Sequence, residues 1–162
     1  NRTDPTRAFA VNQPIESLAG VYQNRAQSSQ PQARPVYLSA IIWRGVDLAH
    51  ADIETIEVVV LNAQTLQVSA MGREGMIRTD RFFKGQHFEI QDGVLEIKPQ
   101  AGVAGLKSGE PMIGVYSEKM TLGLDTRGQG KVRQQTQAAG LAMGLIPIAM
   151  SATEDLRFVK IN

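Results

Sequence analysis

The chain has 162 residues, of which 43% are hydrophobic, 20% charged and 6% aromatic, and its formal net charge is +1. This length predicts one domain with a sizeable apolar core. The balanced charge gives no indication of the clustered basic surface that is typical of nucleic-acid-binding proteins. The sequence has no cysteine, which excludes thiol catalysis, disulfides and cysteine-based metal sites, and no run of about 20 apolar residues that would predict a transmembrane helix.

The N-terminal segment differs from the rest of the chain in being polar and without hydrophobic periodicity. We predict that residues 1–14 are a flexible tether and that residues 15–162 form a single β-barrel domain. The chain begins at Asn1 rather than at a methionine. Two explanations fit this start: a signal peptide or a lipidated cysteine removed upstream, or an arbitrary chain boundary.

β-branched and alternating residues recur at short spacing along the chain, separated by turn residues. Such a pattern predicts about eight strands, and few segments have the spacing of a long amphipathic helix. The segments with this character are 36–43, 53–61, 66–70, 76–83, 88–91, 94–97, 116–125, 131–137 and 155–161. Residues 101–111 are rich in glycine and predict a long loop between two of these strands.

The strongest local signal is the Asp92-Gly93 pair, which lies between two alternating runs. Asp-Gly in this setting predicts a two-residue type I′ hairpin, and the turn fixes the register of its strands. Four cross-strand pairs follow from that register: Gln91 with Val94, Ile90 with Leu95, Glu89 with Glu96, and Phe88 with Ile97. The apolar pairs then share the face that points to the core.

Hairpins that follow one another along the chain predict an all-β fold in which the strands form an antiparallel up-and-down meander. A meander of this size closes into a barrel or folds into a sandwich. We favour a closed or nearly closed barrel, because sequential hairpins can close one without long crossover connections.

The segment 138–150 (AAGLAMGLIPIAM) is uncharged and apolar, unlike the sequence around it. Three interpretations compete: a buried strand or short helix within or under the barrel, an apolar loop that caps a cavity or touches a membrane, and a membrane-spanning or dimerising segment. The last is disfavoured because the segment is shorter than the roughly 20 residues of a spanning helix. The candidate docking or cavity-cap residues are Leu141, Met143, Ile146 and Ile148.

Motifs for chemistry are missing from the sequence. The two histidines, His50 and His87, lie far apart, and neither belongs to a zinc-binding motif. The sequence lacks the G-x-S-x-G and phosphate-loop motifs, and its acidic residues have the spacing of solvated strand faces. We therefore predict no catalytic, cofactor-binding or metal-binding residues and a protein that is not an enzyme.

The segment Leu18-Ala19-Gly20-Val21-Tyr22-Gln23-Asn24 resembles the opening segment of lipocalin-like (calycin) barrels, in which an aromatic residue after a glycine closes the base of the barrel. The later segments 66–70, 83–85 and 120–125 look like the meander of small envelope lipoproteins of Gram-negative bacteria. This resemblance implies a lipocalin-like barrel and a lipid anchor upstream of Asn1. It departs from lipocalins in having Tyr22 where tryptophan is usual.

From the residues and this resemblance we expect a cell-envelope protein or lipoprotein of a Gram-negative bacterium, in the periplasm or on the periplasmic face of the outer membrane. The expected function is non-enzymatic binding of a small apolar ligand, a lipid or another envelope component. The alternative is a structural or assembly protein that docks an envelope protein or a membrane surface through 138–150. The oligomeric state is left open.

Overall fold

The structure, a computed structural model, describes residues 8–28, 34–104, 112–142 and 146–162, and their side chains except at 98–104, 112–117, 140–142, 146–148 and 150. Two antiparallel sheets form, in which neighbouring strands follow chain order. The first contains β1 (Gly20–Gln23), β2 (Ile53–Asn62), β3 (Thr65–Gly72) and β4 (Gly75–Phe83). The second contains β5 (Phe88–Gln91), β6 (Val94–Ala104), β7 (Met112–Leu124), β8 (Gly130–Ala142) and β9 (Ile146–Phe158).

Helices are few in these ranges: α1 (Leu38–Ile42) lies between β1 and β2, and short 3-10 helices cover Ile15–Leu18 and His50–Asp52. The prediction of an all-β antiparallel meander is confirmed. Within the described ranges, both sheets are open: neither pairs its first strand with its last.

The β5–β6 hairpin has the register that the Asp92-Gly93 turn predicts. All four expected pairs are present, from Gln91 with Val94 to Phe88 with Ile97. Asp92 and Gly93 have φ angles of 56° and 82°, the left-handed conformation that a type I′ turn requires at both central residues. This prediction is confirmed. The sequence predicts this hairpin well because the turn residues and the apolar alternation both act between residues close together in the chain.

The three-stranded part of the first sheet also follows the sequence pattern. β2, β3 and β4 cover the strands predicted over 53–61, 66–70 and 76–83. Ile56 on β2 is fully buried, whereas Val59 is 37% and Leu61 42% exposed. The alternation of side chains across a strand therefore gives β2 one face toward the core and one toward solvent.

The strand predicted over 36–43 is wrong, because α1 occupies most of this stretch. Leu38 and Ile41 are three residues apart, so one helical turn brings both to the core side, where they are 6% and 9% exposed. The side-chain oxygen of the buried Asn24 accepts a hydrogen bond from the backbone N–H of Ser39 at 2.7 Å. This bond satisfies an N–H group that a helix start leaves unpaired, and such tertiary contacts override a weak β propensity.

The second sheet is longer than predicted. β6 continues to Ala104 and β7 begins at Met112, so the predicted loop over 101–111 is wrong for residues 101–104, while 105–111 lie outside the described residues. Glycine and alanine are poor strand formers. The added pairs, such as Val103 with Val115, form because the ladder begun at Leu95 and Leu122 extends along both strands.

The apolar segment 138–150 forms the end of the β8–β9 hairpin in its described parts. Gly140 pairs with Ile148, Leu141 with Pro147, and Ala142 with Ile146, whereas Met143 lies outside the described residues. Of the alternatives drawn from the sequence, a strand is therefore what residues 138–142 and 146–150 adopt. Their role in docking stays a prediction.

The apolar faces of the two sheets share one core. The first sheet contributes Ile56, Leu66, Val68 and Ala70, and the second contributes Phe88, Leu95, Met120, Leu124, Val132 and Phe158. The chain after β9 also runs beside β1: the Ile161 N–H donates to the Val21 carbonyl at 2.7 Å, and the Gln23 N–H donates to the Val159 carbonyl at 2.8 Å. The first and second sheets are thus joined at the side where β1 lies.

The described part of the predicted tether contacts the second sheet. Phe9 forms an antiparallel bridge with Asp125, and the Ala10 N–H donates to the Leu124 carbonyl at 2.8 Å. Farther along, the Gln13 N–H donates to the Asp92 carbonyl at 3.1 Å. Residues 8–13 therefore cross the end of the sheet where β7 finishes.

We predict that Gly93→Ala lowers the free energy of unfolding by about 2 kcal/mol, because a side chain at positive φ is strained and its Cβ would lie 2.5 Å from the Cβ of Gln13. Gly128→Ala is the matched control: Gly128 has a φ of 80°, but no described atom lies within 4 Å of the added Cβ. Urea unfolding compares the two variants. Equal losses would show that contact with Gln13 adds nothing to the strain.

Candidate functional site

A cavity of about 370 Å³ lies among residues of both sheets. This volume is at the low end of the range of about 300–1,000 Å³ found for ligand pockets. Most of its wall is aliphatic or aromatic: Leu18, Tyr22, Leu38, Ile42, Val58, Leu66, Val68, Phe82, Phe88, Leu95, Ile97, Leu122, Val132 and Phe158. The other lining residues are Gln86, His87, Gly123, Gly130 and Lys131.

Cross-strand pairing builds the two main walls. On the second sheet, Leu122 pairs with both Leu95 and Val132, so these three side chains form one row across β6, β7 and β8. On the first sheet, Val58 of β2 pairs with Val68 of β3. Because directly paired residues share a face, each sheet presents a continuous apolar surface to the cavity.

Helix α1 supplies a third part of the wall, through Leu38 and Ile42. Its position depends on Asn24, which is fully buried. The Asn24 amide group donates to Ser39 Oγ at 3.0 Å and to the Ile53 carbonyl at 3.0 Å, while its oxygen accepts from the Ser39 N–H. One side chain thereby joins the end of β1, the start of α1 and the start of β2.

Ser39 and His50 form a hydrogen-bonded pair that sequence spacing did not reveal. Ser39 Oγ lies 2.8 Å from His50 Nδ1 and also accepts the hydrogen bond from Asn24. Ser39 is 0% exposed, so its hydroxyl is enclosed by these partners. The pair extends the polar network that holds α1 beside the cavity.

Lys131 and Arg133 lie on the face of β8 that is turned away from the cavity, because side chains alternate across a strand and Val132 between them faces the cavity. Lys131 is 4% exposed, and its ammonium group lies 3.3 Å from a carboxylate oxygen of Asp155 and 5.4 Å from the centre of the Phe9 ring. Arg133 Nε donates to the other oxygen of Asp155 at 2.9 Å. Partial burial alone would raise the pKa of Asp155, but the Arg133 hydrogen bond and the Lys131 charge outweigh it and hold the pKa below its usual range.

Tyr22, the aromatic residue of the Gly20–Gln23 strand, is 6% exposed and lines the cavity. Its hydroxyl donates to the Leu18 carbonyl at 2.7 Å, and the Lys160 ammonium group lies 5.9 Å from the ring centre. Burial raises the pKa of the Tyr22 hydroxyl above its usual value. The side chain therefore presents a neutral ring to the cavity.

The turn between β4 and β5 forms another part of the cavity wall. Gln86 is exposed and His87 half-buried, although both line the cavity. The backbone N–H of Phe83 donates to His87 Nδ1 at 3.0 Å. The His87 ring also lies 5.5 Å from the Phe82 ring centre and 5.9 Å from that of Phe83, so this imidazole is held in one place.

The residues singled out from the sequence lie elsewhere. Leu141 is about 30 Å along β8 from the cavity residue Val132, at ~3.3 Å per residue. Ile146 and Ile148 flank Pro147, the residue of β9 that pairs with Leu141. Of the cavity residues, Phe88, Leu95 and Ile97 were predicted to face the core. None was predicted as part of a site, because alternation shows which face is apolar but not whether the facing sheets touch.

Other kinds of site find no support in the described ranges, where no group of three or more His, Cys, Asp or Glu residues is placed to hold a metal ion. Each helix there falls short of the length and apolar character needed to cross a membrane. No protein-family model matches the chain, and no curated protein and no solved structure matches it significantly.

We predict that Asn24→Ala lowers the free energy of unfolding by about 3 kcal/mol, since buried groups left without partners cost about 1–3 kcal/mol each. Asn62→Ala is the matched control, because the exposed Asn62 makes one hydrogen bond, from the Gln64 N–H at 2.8 Å. Its expected loss is below about 1 kcal/mol. Urea unfolding followed by circular dichroism measures both, and similar losses would contradict the central role of Asn24.

Proposed function

We propose that the protein is a non-enzymatic binding module of the Gram-negative cell envelope and holds a small apolar ligand or envelope component between its sheets. The observation that carries the proposal is the cavity of about 370 Å³ with its largely apolar wall. An apolar ligand gains about 25 cal/mol for each Å² of apolar surface that it removes from water. Shape and wall chemistry thus favour the same class of ligand.

Several apolar side chains in the wall keep part of their surface exposed. Val58, Phe82 and Leu122 line the cavity, yet each is only partly buried. Apolar surface that faces inward without being covered is what a bound apolar molecule would cover. This supports a cavity used for binding over one left by imperfect packing.

The proposal includes a nearly closed, lipocalin-like barrel around the ligand. Two bridges between the sheets support it: an antiparallel bridge of Tyr22 with Lys160 beside β1, and a parallel bridge of Lys84 with Phe88 between β4 and β5. A barrel of about eight strands is wide enough to hold one small ligand. The resemblance of the sequence to small envelope lipoproteins agrees with this geometry.

The envelope location, with a lipid anchor upstream of Asn1, rests on the same resemblance. Fractionation of the protein's own host tests the location directly. Native mass spectrometry of protein purified from that host then tests for a retained apolar molecule. Recovery in the cytosolic fraction would contradict the location without bearing on the cavity.

We predict that Val58→Trp weakens binding of the uncharged probe N-phenyl-1-naphthylamine at least about tenfold, or about 1.4 kcal/mol, because the larger side chain fills part of the cavity. Val59→Trp is the matched control, since Val59 is the next residue of β2, on the opposite face and 37% exposed. Fluorescence titration measures the affinity, and circular dichroism checks the fold. Equal affinities would show that the probe binds elsewhere.

A second candidate function is docking to a membrane surface or an apolar partner through 138–150. The observation that favours it is the register of the second sheet, which places the uncharged segments 101–104, 112–117, 137–142 and 146–151 side by side. Ala139 is exposed and Ala138 only half-buried. Neither face of β8 is fully covered at this point.

For this second function we predict that Ala149→Glu lowers flotation with phosphatidylcholine vesicles about tenfold, because moving a carboxylate into hydrocarbon is costly. Thr153→Glu is the matched control: Thr153 is exposed on the same face of β9, beside the charged part of the strand. Flotation of the Ala149 variant at the wild-type level, or absence of wild-type flotation, would contradict docking to lipid.

A further inference from the structure

Strand β9 is the outer strand of the second sheet, and one of its two edges is open along most of its length. The strand spans Ile146–Phe158 and pairs with β8 at every residue. On its other edge, contact begins at the end of the strand, where the Gln27 N–H donates to the Arg157 carbonyl at 2.8 Å. Among the described residues, the backbone of 146–154 has no partner on that edge. This stretch can therefore pair with another strand.

The open edge of β9 is regular, uncharged and exposed. Proteins protect free edges with charges, bulges, short strands or proline. The ladder between β8 and β9 has no register shift, and residues 146–153 carry no charge. Residues 151–155 are all exposed, so neither face of β9 is covered there. Of the usual protective features, this edge has only Pro147, near its start.

Pro147 indicates which backbone groups face the open edge. Proline has no N–H, and a strand accommodates it where its nitrogen faces away from the neighbouring strand. The N–H groups of a strand alternate in direction. Those of 149, 151 and 153 therefore lie on the same side as the Pro147 nitrogen, toward the open edge. Beyond Pro147 this edge keeps its hydrogen-bond donors.

We propose that the open edge of β9 binds the same edge of a second copy of this chain, in an antiparallel dimer with two-fold symmetry. The open stretch 146–154 is centred on Met150, so full pairing places Met150 on the two-fold axis. Ala149 of each copy then lies opposite Ser151 of the other. Because the contact is isologous, this pair occurs twice, and the second sheets of both copies join into one continuous sheet.

The charges of β9 favour a second copy in this direction. They all lie near the end of the strand, at Glu154, Asp155 and Arg157. Antiparallel pairing places the charged end of one copy beside the uncharged start of the other, so that no like charges face each other. Parallel pairing in register would instead place the two Glu154 side chains next to each other. The proposal concerns the edge of the second sheet and does not depend on a ligand in the cavity.

Disulfide cross-linking tests the register, because the chain has no native cysteine. In the dimer the two 150 positions form a pair without mutual hydrogen bonds, with Cα atoms about 4.5 Å apart, a separation that a disulfide can span. Met150→Cys is therefore expected to give a covalent dimer on mild oxidation. Thr153→Cys is the matched control, because at ~3.3 Å per residue the two 153 positions lie roughly 20 Å apart. It is expected to stay monomeric.

Sedimentation equilibrium of the wild-type chain, without lipid or detergent, measures the association itself. A monomer–dimer equilibrium is expected. Ser151→Pro removes a donor from the edge in both copies and is expected to raise the dissociation constant at least about tenfold. Ser151→Ala keeps the N–H and is expected to leave the constant within about twofold of wild type. Circular dichroism checks the fold of the proline variant, and cross-linking decides the matter if that fold is lost.

Three results would overturn the proposal: a wild-type chain that stays monomeric at ~1 mM, cross-linking of Thr153→Cys as efficient as that of Met150→Cys, or a dimer that Ser151→Pro leaves unchanged. Species larger than a dimer would also overturn it, since isologous pairing closes at two copies. Titration with N-phenyl-1-naphthylamine is independent of these results. A dimer that binds no probe would contradict the proposed ligand binding alone.

Discussion

Three of the elements around the cavity, β1, α1 and β2, are held together by one buried amide, that of Asn24. Its backbone N–H donates to the Glu54 carbonyl at 3.0 Å, and its backbone carbonyl accepts from the Leu38 N–H at 2.8 Å. Its side chain adds the bonds to Ser39 and Ile53. An amide offers two donors and an acceptor in fixed directions, so it can set the positions of β1, α1 and β2 together in a way that apolar contacts, which have no direction, cannot.

This fixed frame explains how an apolar cavity persists in a small domain. Apolar walls normally close on one another until interiors reach crystal-like packing. Here the first sheet is held by Asn24 at α1, and the second sheet is joined to it beside β1, where the Ile161 N–H bonds to the Val21 carbonyl. Because these polar contacts at the edges of the sheets set the distance between the two sheets, side chains such as Val58 and Leu122 line open space. Water there finds few partners, which favours its replacement by an apolar ligand.

The sequence predicts well those structural features that depend on residues close together in the chain. The Asp92-Gly93 turn fixes the register of β5 and β6 because its two residues need the left-handed conformation wherever they occur. Helix α1 was predicted as a strand because its partner, Asn24, is distant in the chain. The end of β6 over 101–104 was predicted as a loop because alanine and glycine carry little strand propensity, whereas a strand was one of the alternatives for 138–150. The residues that line the cavity were not predicted as a site because residue type predicts which face is buried, not the distance between two faces.

The second sheet separates two kinds of surface along the same strands. Near the start of β8, Lys131 and Arg133 both form ion pairs with Asp155. The charged side chains in this region therefore interact with one another. Beyond residue 137 the strand is uncharged, and Ala139 is exposed. Each strand extends by ~3.3 Å per residue, so the two regions are separated by tens of ångströms. The proposed ligand binding at one end and the proposed docking at the other therefore place no competing demand on any side chain, so the two proposals are compatible in one chain.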